Sequence, residues 1–330
     1  MRIALDTTGG DFAPEVVIQG ALEAVRERGL SITLLGDREK LDQALSSADR
    51  GLVSVVHAPE LITSDEEPVM AIRRKRQSPL VVGCQMIKDG SVQALVTAGN
   101  TGAFMAAGMF VAGRITGIER PALAPLFPTE NGRGVVVLDV GANMDAKPQH
   151  LLQYGIMGSL YAERVLGRKE PKVALLNVGS EPGKGNQAAK DAYILLAEAD
   201  INFIGNLEAR ELLTGSVDVV VCDGFTGNVV LKFMEGMASS LFSMMRTSFT
   251  RDTRSKLGAL LLKPALRDFK DSLDYSGHGG APLLGLRGIL VKCHGSSNAV
   301  AIKNGIYQAQ KFVEQDVVRA IEDSTRSSSE

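Results

Sequence analysis

Val173-Ala174-Leu175-Leu176-Asn177-Val178-Gly179-Ser180-Glu181-Pro182-Gly183-Lys184-Gly185-Asn186 is an apolar strand-like run followed by a glycine-rich turn. The turn leads into an apparent helix over residues 188–199. A strand, a tight turn and a helix in that order form the repeating unit of a parallel α/β sheet. The glycines free the backbone for close approach, helix-end N–H groups point outward, and Lys184 adds a positive charge, so the turn reads as an oxyanion site. It is not a nucleotide loop of the Walker A kind. Three residues, not four, separate Gly179 from the Gly183-Lys184 pair, and Gly185 stands where a magnesium-binding hydroxyl belongs. Steric demands of a strand–turn–helix junction also account for the glycines.

The same rhythm extends in both directions. Short apolar runs at 3–5, 32–35, 53–57, 94–97, 135–140, 202–204, 217–222 and 289–293 are candidate strands. Several are apolar throughout, as strands covered by helices on both faces must be. Helical patterns lie between them at 14–28, 38–48, 101–115, 148–166 and 296–322. The reading is an α/β fold with a mostly parallel sheet sandwiched by helices. One domain over residues 1–330 holds a central cleft. The segment 121–128 carries three prolines and reads as an edge strand or extended linker. Residues 325–330 read as a disordered tail. From Phe225 to about Leu273 there is no convincing strand. Two long helical patterns meet near 256–264, a helical hairpin over 236–275 that projects from the body or clasps a second subunit.

The chain has 330 residues, 45% apolar and 22% charged, with a net charge of −2. That composition fits a soluble globular protein and supplies no basic field for nucleic acid. Trp is absent and there are five Tyr, so stacking platforms for single strands are scarce. Cys84, Cys222 and Cys293 form no CxxC pair and read as reduced, buried thiols. The N-terminus enters a strand at once, and no apolar run reaches the ~18 residues of a membrane span. The expectation is a cytoplasmic protein that meets membranes only at its surface.

Polar and glycine-rich residues gather after the strands: Asp6-Thr7-Thr8-Gly9-Gly10-Asp11, Thr97-Ala98-Gly99-Asn100-Thr101-Gly102, Asp139-Val140-Gly141-Ala142-Asn143, the lysine loop, Cys222-Asp223-Gly224-Phe225-Thr226-Gly227-Asn228 and Lys292-Cys293-His294-Gly295-Ser296-Ser297-Asn298. Ligands bind beyond the carboxyl ends of the strands in open α/β sheets, and turn chemistry explains the glycines better than the recurrent amides and hydroxyls. These junctions therefore read as an active cleft. Asp6, Asp11, Asp139 and Asp223 could ligate magnesium, but helix capping and Asx turns account for them more simply, and no metal is expected. Cys293 and His294 are sequence neighbours at a strand end and point apart, which argues against a nucleophile–base dyad. His278 falls in a glycine loop. No GxGxxG follows the first strand, so no dinucleotide fingerprint exists, and no cofactor is expected. Arg73-Arg74-Lys75-Arg76 reads as a solvated helix face, with phosphate or an acidic partner as the alternative.

Between Arg246 and Lys270, seven basic residues (Arg246, Arg251, Arg254, Lys256, Lys263, Arg267, Lys270) face two acidic ones, a net charge of +5. Leu257-Gly258-Ala259-Leu260-Leu261-Leu262 lies among them. Basic residues around an apolar tip suit an anionic membrane surface or an acidic protein partner. A dimer interface with a charged rim is the competing reading.

Taken with Phe203-Ile204-Gly205-Asn206, Gly279-Gly280-Ala281-Pro282-Leu283-Leu284-Gly285 and His294-Gly295-Ser296-Ser297, these junction motifs resemble the bacterial phosphate acyltransferases of phospholipid synthesis, the PlsX family. The resemblance runs from residue 1 to about 320. It implies transfer of a fatty acyl group from acyl carrier protein to inorganic phosphate, giving acyl phosphate. It also implies a fold similar to isocitrate/isopropylmalate dehydrogenases and phosphotransacetylases, in a cytosolic homodimer that visits the membrane. The chain departs from the family's pattern in two places. Relatives are usually more acidic where it has Ser180-Glu181-Pro182-Gly183, and an aromatic residue is common at His278.

The implied catalytic residues are Lys184, to hold phosphate or steady the oxyanion, and Asn228, to donate to the same centre. Asn100, Thr101 and Asn143 would position phosphate. Asp6, Gly9, Gly10, Asp11, Gly102, Gly185, Asn186, Asp223, Thr226, His294 and Ser296 complete the expected substrate site. Arg246, Arg251, Arg254, Lys256, Leu260, Leu261, Lys263 and Arg267 would meet the carrier protein or the membrane. The competing readings are a dehydrogenase of similar fold, a phosphotransacetylase acting on coenzyme A thioesters, and a non-enzymatic membrane scaffold for acyl carrier protein.

Overall fold

The computed structural model describes residues 1–63, 65–273 and 279–327. The N-terminal part alternates β1 (Arg2–Asp6), α1 (Glu15–Arg28), β2 (Ser31–Gly36), α2 (Arg38–Ala44) and β3 (Ser54–His57). There follow α3 (Pro68–Arg74), α4 (Pro79–Lys88), β4 (Ala94–Thr97) and α5 (Thr101–Ala107), which runs into a π-helical turn at Gly108–Ala112. Local chemistry sets these boundaries. α1 ends at Gly29 in the left-handed conformation, with Arg26 and Arg28 in its last turn, where cations favour the helix dipole. Asp37 and Glu67 cap α2 and α3 by accepting backbone N–H groups.

The middle of the chain holds β5 (Ala122–Leu123), β6 (Leu126–Phe127), β7 (Val135–Leu138), α6 (Pro148–Arg164), β8 (Val173–Asn177), α7 (Gln187–Glu198), β9 (Phe203–Glu208) and β10 (Val219–Val221). The rest comprises α8 (Gly224–Phe249), α9 (Thr253–Leu273), β11 (Ala281–Leu284), β12 (Ile289–Lys292), α10 (Ala299–Glu314) and α11 (Val317–Ser327).

The strands form two sheets where the sequence suggested one. The larger has the order β3-β2-β1-β4-β12-β11-β5, the smaller β6-β7-β10-β8-β9. Pairing is parallel except at β12–β11, β11–β5 and β6–β7. The proline-rich segment is the divide. Its first strand, β5, edges the larger sheet and its second, β6, edges the smaller. Prolines 121, 125 and 128 have no N–H to carry a ladder through, so neither strand lengthens. Ala124 N bonds to Pro282 O at 3.0 Å and Val137 N to Pro125 O at 3.1 Å, which ties the segment to both sheets.

Alternating strand residues face two helical layers. Ile3, Leu5 and Val96 of the larger sheet share one apolar cluster with Val136, Leu138 and Val219 of the smaller. Ala4, Leu95 and Leu290 share the other with Val135, Val137 and Val220. Each layer runs continuously under both sheets, so the two sheets belong to one buried core.

α8 and α9 form the expected hairpin, but the chain reverses at Thr250–Asp252, earlier than the sequence suggested. Asp252 sets the reversal, its carboxylate accepting Ser255 N at 2.9 Å. Pro264 therefore lies inside α9 rather than at its start. At 1.5 Å per residue, α8 is about 39 Å long, and its buried residues are Gly224 and Gly227 in the first turn. Phe242 meets Phe269 with ring centroids 6.1 Å apart. Residues 274 and 275 of the expected hairpin, and His278, lie outside the described residues. The helical pattern at 296–322 is broken at Asp316, with φ 47°, into α10 and α11. α11 continues to Ser327, and Thr325 Oγ1 donates to Thr116 O at 3.0 Å, so the start of the supposed tail is a helical turn. Residues 328–330 lie outside the described residues.

Candidate active site

β1, β4 and β12 are neighbours, and the loops after them are stitched together. Asp6 is buried and its carboxylate accepts Thr97 Oγ1 at 2.7 Å, Thr8 N at 2.9 Å and Thr8 Oγ1 at 2.8 Å. Asp11 N donates to Gly295 O at 2.8 Å. A Cβ on Gly9 would lie 2.3 Å from Gly99 N, so only glycine lets these two loops touch. Asn100 caps α5 by accepting Ala103 N at 2.9 Å, and its amide donates to Thr63 O at 3.1 Å. Asp6, Gly9, Gly10, Asp11, Asn100 and Gly102 thus build the wall of the cleft.

The smaller sheet contributes a second wall. Asp139, wholly buried after β7, accepts the N–H groups of Leu123, Ala142 and Asn143. Burial pushes its carboxyl pKa up against these four-atom contacts, which pull it down. Asn143 donates its amide to Pro121 O at 2.7 Å and to Asp139 at 3.2 Å. Asp223 caps α8, accepting Thr226 N at 2.8 Å and Thr226 Oγ1 at 2.7 Å. The capping reading of these acids therefore holds for Asp223, and Asp6 and Asp139 close turns.

Between the walls is a cavity of about 310 Å³, lined by Thr101, Gly141, Asn228, Lys292, His294 and Ser297 among others. Loops following β4, β7, β10 and β12 all reach it, so the carboxyl ends of both sheets open onto one space. Asn228 projects from the second turn of α8 and, among the described residues, its amide makes no hydrogen bond. His294 is exposed. Ser296 N donates to its Nδ1 at 3.2 Å, so Nδ1 accepts and Nε2 carries the proton in the neutral ring. The Cys293 thiol is buried and its pKa is pushed up to about 12, so it supplies no thiolate nucleophile. Cys293 and His294 do point apart.

The lysine loop stands elsewhere. Asn186 caps α7 by accepting Ala189 N at 2.9 Å. Asn177 donates to Lys184 O at 3.1 Å and to Asn206 Oδ1 at 3.1 Å, and Asn206 donates to Glu181 O at 2.8 Å. These amides pin the loop backbone. The Lys184 side chain is half exposed, with Nζ 3.8 Å from Glu181 Oε1. Gly185 and Asn186 line a separate, larger cleft of about 830 Å³ together with Leu175, Asp223, Phe225, Thr226 and Val230.

α8 divides the two spaces. Asn228, Leu231, Lys232 and Glu235, spaced by three and four, face the smaller cavity. Thr226 and Val230, about half a turn away, face the larger cleft. A helix is about 10 Å across, so the structure brings Asn228, Thr101 and His294 together and leaves Lys184 on the far side. Sequence reasoning passed over Lys292, Lys232 and Ser297. Lys292 was readable as the last residue of a strand beside a quoted motif, but its apolar neighbours disguised it.

In the hairpin, Leu257, Leu260, Leu261 and Leu262 are between 50% and 76% exposed, in the first half of α9. Arg251, Arg254 and Lys256 lie beside them and Lys263 follows. No helix among the described residues is long and apolar enough to cross a membrane.

The fatty acid synthesis protein family matches residues 1–320. The phosphate acyltransferase of Bacillus cereus (strain G9842) is 52% identical over 322 residues, 97% of each chain. That of Bacillus thuringiensis (strain Al Hakam) matches equally well. In three dimensions, a phosphotransacetylase from Streptococcus pyogenes superposes with a TM-score of 0.65 at 18% identity, covering 95% of this chain and 94% of that one. A 4-hydroxythreonine-4-phosphate dehydrogenase from Klebsiella pneumoniae gives 0.52 at 14% identity, covering 96% and 99%. At such identities the structural matches speak for the fold alone, an α/β architecture found in both transacetylases and dehydrogenases. The sequence matches speak for the family and its activity: this chain is an enzyme that belongs to the PlsX phosphate acyltransferases, within the fatty acid synthesis protein family.

Proposed function

We propose that the acyl donor is a long-chain acyl carrier protein, and that the product is an acyl phosphate destined for phospholipid synthesis. Phosphate and thioester would meet in the cavity between the two sheets. The observation that carries this reading is the convergence of four strand-end loops on one cavity holding an unpaired amide, that of Asn228. An oxygen of hydrogen phosphate bonds to the thioester carbonyl carbon, negative charge builds on the carbonyl oxygen, and the carbon–sulfur bond breaks. The departing sulfur takes up the proton that hydrogen phosphate gives up. Phosphate arrives as an anion, so the site needs aligned donors more than a strong base. Asn228 suits the developing oxyanion. Lys184, on the rim of the larger cleft, suits the donor's side of the reaction.

The hairpin supports a carrier protein over free coenzyme A. Its basic residues match an acidic partner, and steering of this kind weakens with salt. Leu260 and Leu261 would touch an anionic membrane surface, giving a cytoplasmic enzyme with peripheral, transient attachment. The face of α8 that carries Phe225, Val229, Phe233, Met237 and Met244, each at least 52% exposed, suits a second copy of the chain in a homodimer.

The test is to supply the purified protein with phosphate and either palmitoyl carrier protein or palmitoyl coenzyme A. Release of thiol together with a hydroxylamine-trappable acyl phosphate from the carrier substrate is the expected result. Turnover of the coenzyme A thioester alone would favour the transacetylase-like reading instead.

A further inference from the structure

We propose that Lys292, with the Ser297 hydroxyl beside it, is the cation that seats phosphate in the cavity. This deepens the functional reading above and rests on it, because it names the group that holds the nucleophile.

Lys292 is the last residue of β12, and its side chain lines the cavity from the larger sheet. Nζ makes one hydrogen bond, to Cys293 O at 2.5 Å, and among the described residues no carboxylate lies within ion-pair distance. An ammonium has three donors, so two remain for a ligand. Ser297 lines the same cavity and is 5% exposed, yet its Oγ has no hydrogen-bond partner among the described residues. Buried hydroxyls are ordinarily paired, and one left open toward a cavity points to a missing polar ligand. Asn228, likewise unpaired, faces them from α8. An amide, an ammonium and a hydroxyl from three directions suit a compact oxyanion with acceptors on every side.

The charges around Lys292 come from several elements. Asp6 at the end of β1 and Asp11 in the following loop lie near enough to favour its charged form. Lys232 on α8 opposes it and is itself tied to Glu235 at 2.8 Å. His294 and the buried Cys293 thiol are its chain neighbours. Burial is the largest influence and lowers its pKa from the ordinary lysine value. A phosphate dianion would restore the charge balance that burial disturbs, and Lys184 has no such unpaired, enclosed position.

The experiment uses the full chain with saturating acyl donor and varied phosphate. Lys292→Met should raise the phosphate KM tenfold or more while the donor KM stays within twofold, and Ser297→Ala should raise the phosphate KM several-fold. In the wild type, kcat/KM for phosphate should fall on the alkaline side below the ordinary lysine range. Lys292→Arg should keep measurable activity and carry that limb to higher pH, which a purely structural lysine would not do. An unchanged phosphate KM in Lys292→Met, or an alkaline limb that Lys292→Arg does not move, overturns the proposal. If Lys292→Met does not fold, the arginine variant decides alone. Calorimetric titration with inorganic phosphate separates the two readings: weakened binding in Lys292→Met or Lys292→Arg upholds the seat even if carrier substrates prove inactive, and unaltered binding removes it.

Discussion

Thr97 Oγ1 donates to Asp6 Oδ2 across 2.7 Å, joining the carboxyl ends of two adjacent parallel strands with both side chains buried. The same hydroxyl accepts Gly99 N at 2.9 Å. One threonine thus aligns the first and fourth strand-end loops, on which the entrance to the cavity depends.

Thr97→Val keeps the shape and removes both hydrogen bonds, leaving a buried carboxylate oxygen and a backbone N–H without their partner. Loss of a partner to buried polar groups costs about 1–3 kcal/mol. Denaturant unfolding should show a destabilisation of that order. A variant as stable as the parent would mean that water replaces the hydroxyl at no cost.

Asn228→Ala and Lys184→Ala should behave differently. The asparagine variant should unfold like the parent but lose about a hundredfold in kcat, the usual consequence of deleting one oxyanion donor, roughly 3 kcal/mol. The lysine variant removes an exposed pair with Glu181, worth about 0–1 kcal/mol, and should change the donor KM while sparing that of phosphate. Steady-state kinetics with each substrate varied in turn reads both effects. A phosphate-specific defect in Lys184→Ala would bring the loop across α8 into the phosphate site.

Lys292 also leaves a signature in stability. Its folded pKa is lowered from the model-compound value of 10.5, with burial as the main cause. For a group depressed on folding, the stability contribution is present above the unfolded value and is lost as pH falls through the folded value. Near neutrality the buried ammonium is therefore a cost. Lys292→Met should melt higher than the parent at pH 7, and the margin should shrink as pH approaches 10.5. Thermal melts of the two proteins across that range decide it; a constant difference would show that packing, not charge, separates them.

Paired Leu260→Ser and Leu261→Ser substitutions should weaken cosedimentation with phosphatidylglycerol-containing vesicles several-fold. Turnover of soluble acyl carrier protein should persist at low salt. Added salt should weaken carrier affinity in the parent, since at ~0.15 M the screening length is about 8 Å. Vesicle binding that survives the double substitution would move the membrane contact away from α9.

Much of this protein is legible along the chain. Val135–Leu138 and Val219–Val221, apolar at every position, announce strands covered on both faces, and the glycine, amide and hydroxyl junctions announce where they end. Gly9 could be read as a close-approach glycine, although its neighbour, Gly99, could not. β11 escaped notice because Pro282 and two preceding glycines read as loop. The reversal at Asp252 was misplaced because Pro264 is the louder signal; a capping aspartate outweighed it once the two helices packed.

What the amino-acid order determined by itself is local: which runs become strands, which polar residues follow them, and that seven such motifs in succession mark a phosphate acyltransferase. Whether those motifs share one space was left to tertiary structure. Two sheets meet along a proline-rich strand pair and bring four loops to one cavity, while α8 keeps the lysine loop apart. The cause is that strand pairing and helix orientation depend on contacts between residues tens to hundreds of positions apart, as between Asp6 and Thr97. Along the chain Lys184 is the conspicuous cation and Lys292 one more residue in an apolar strand; burial reverses that order.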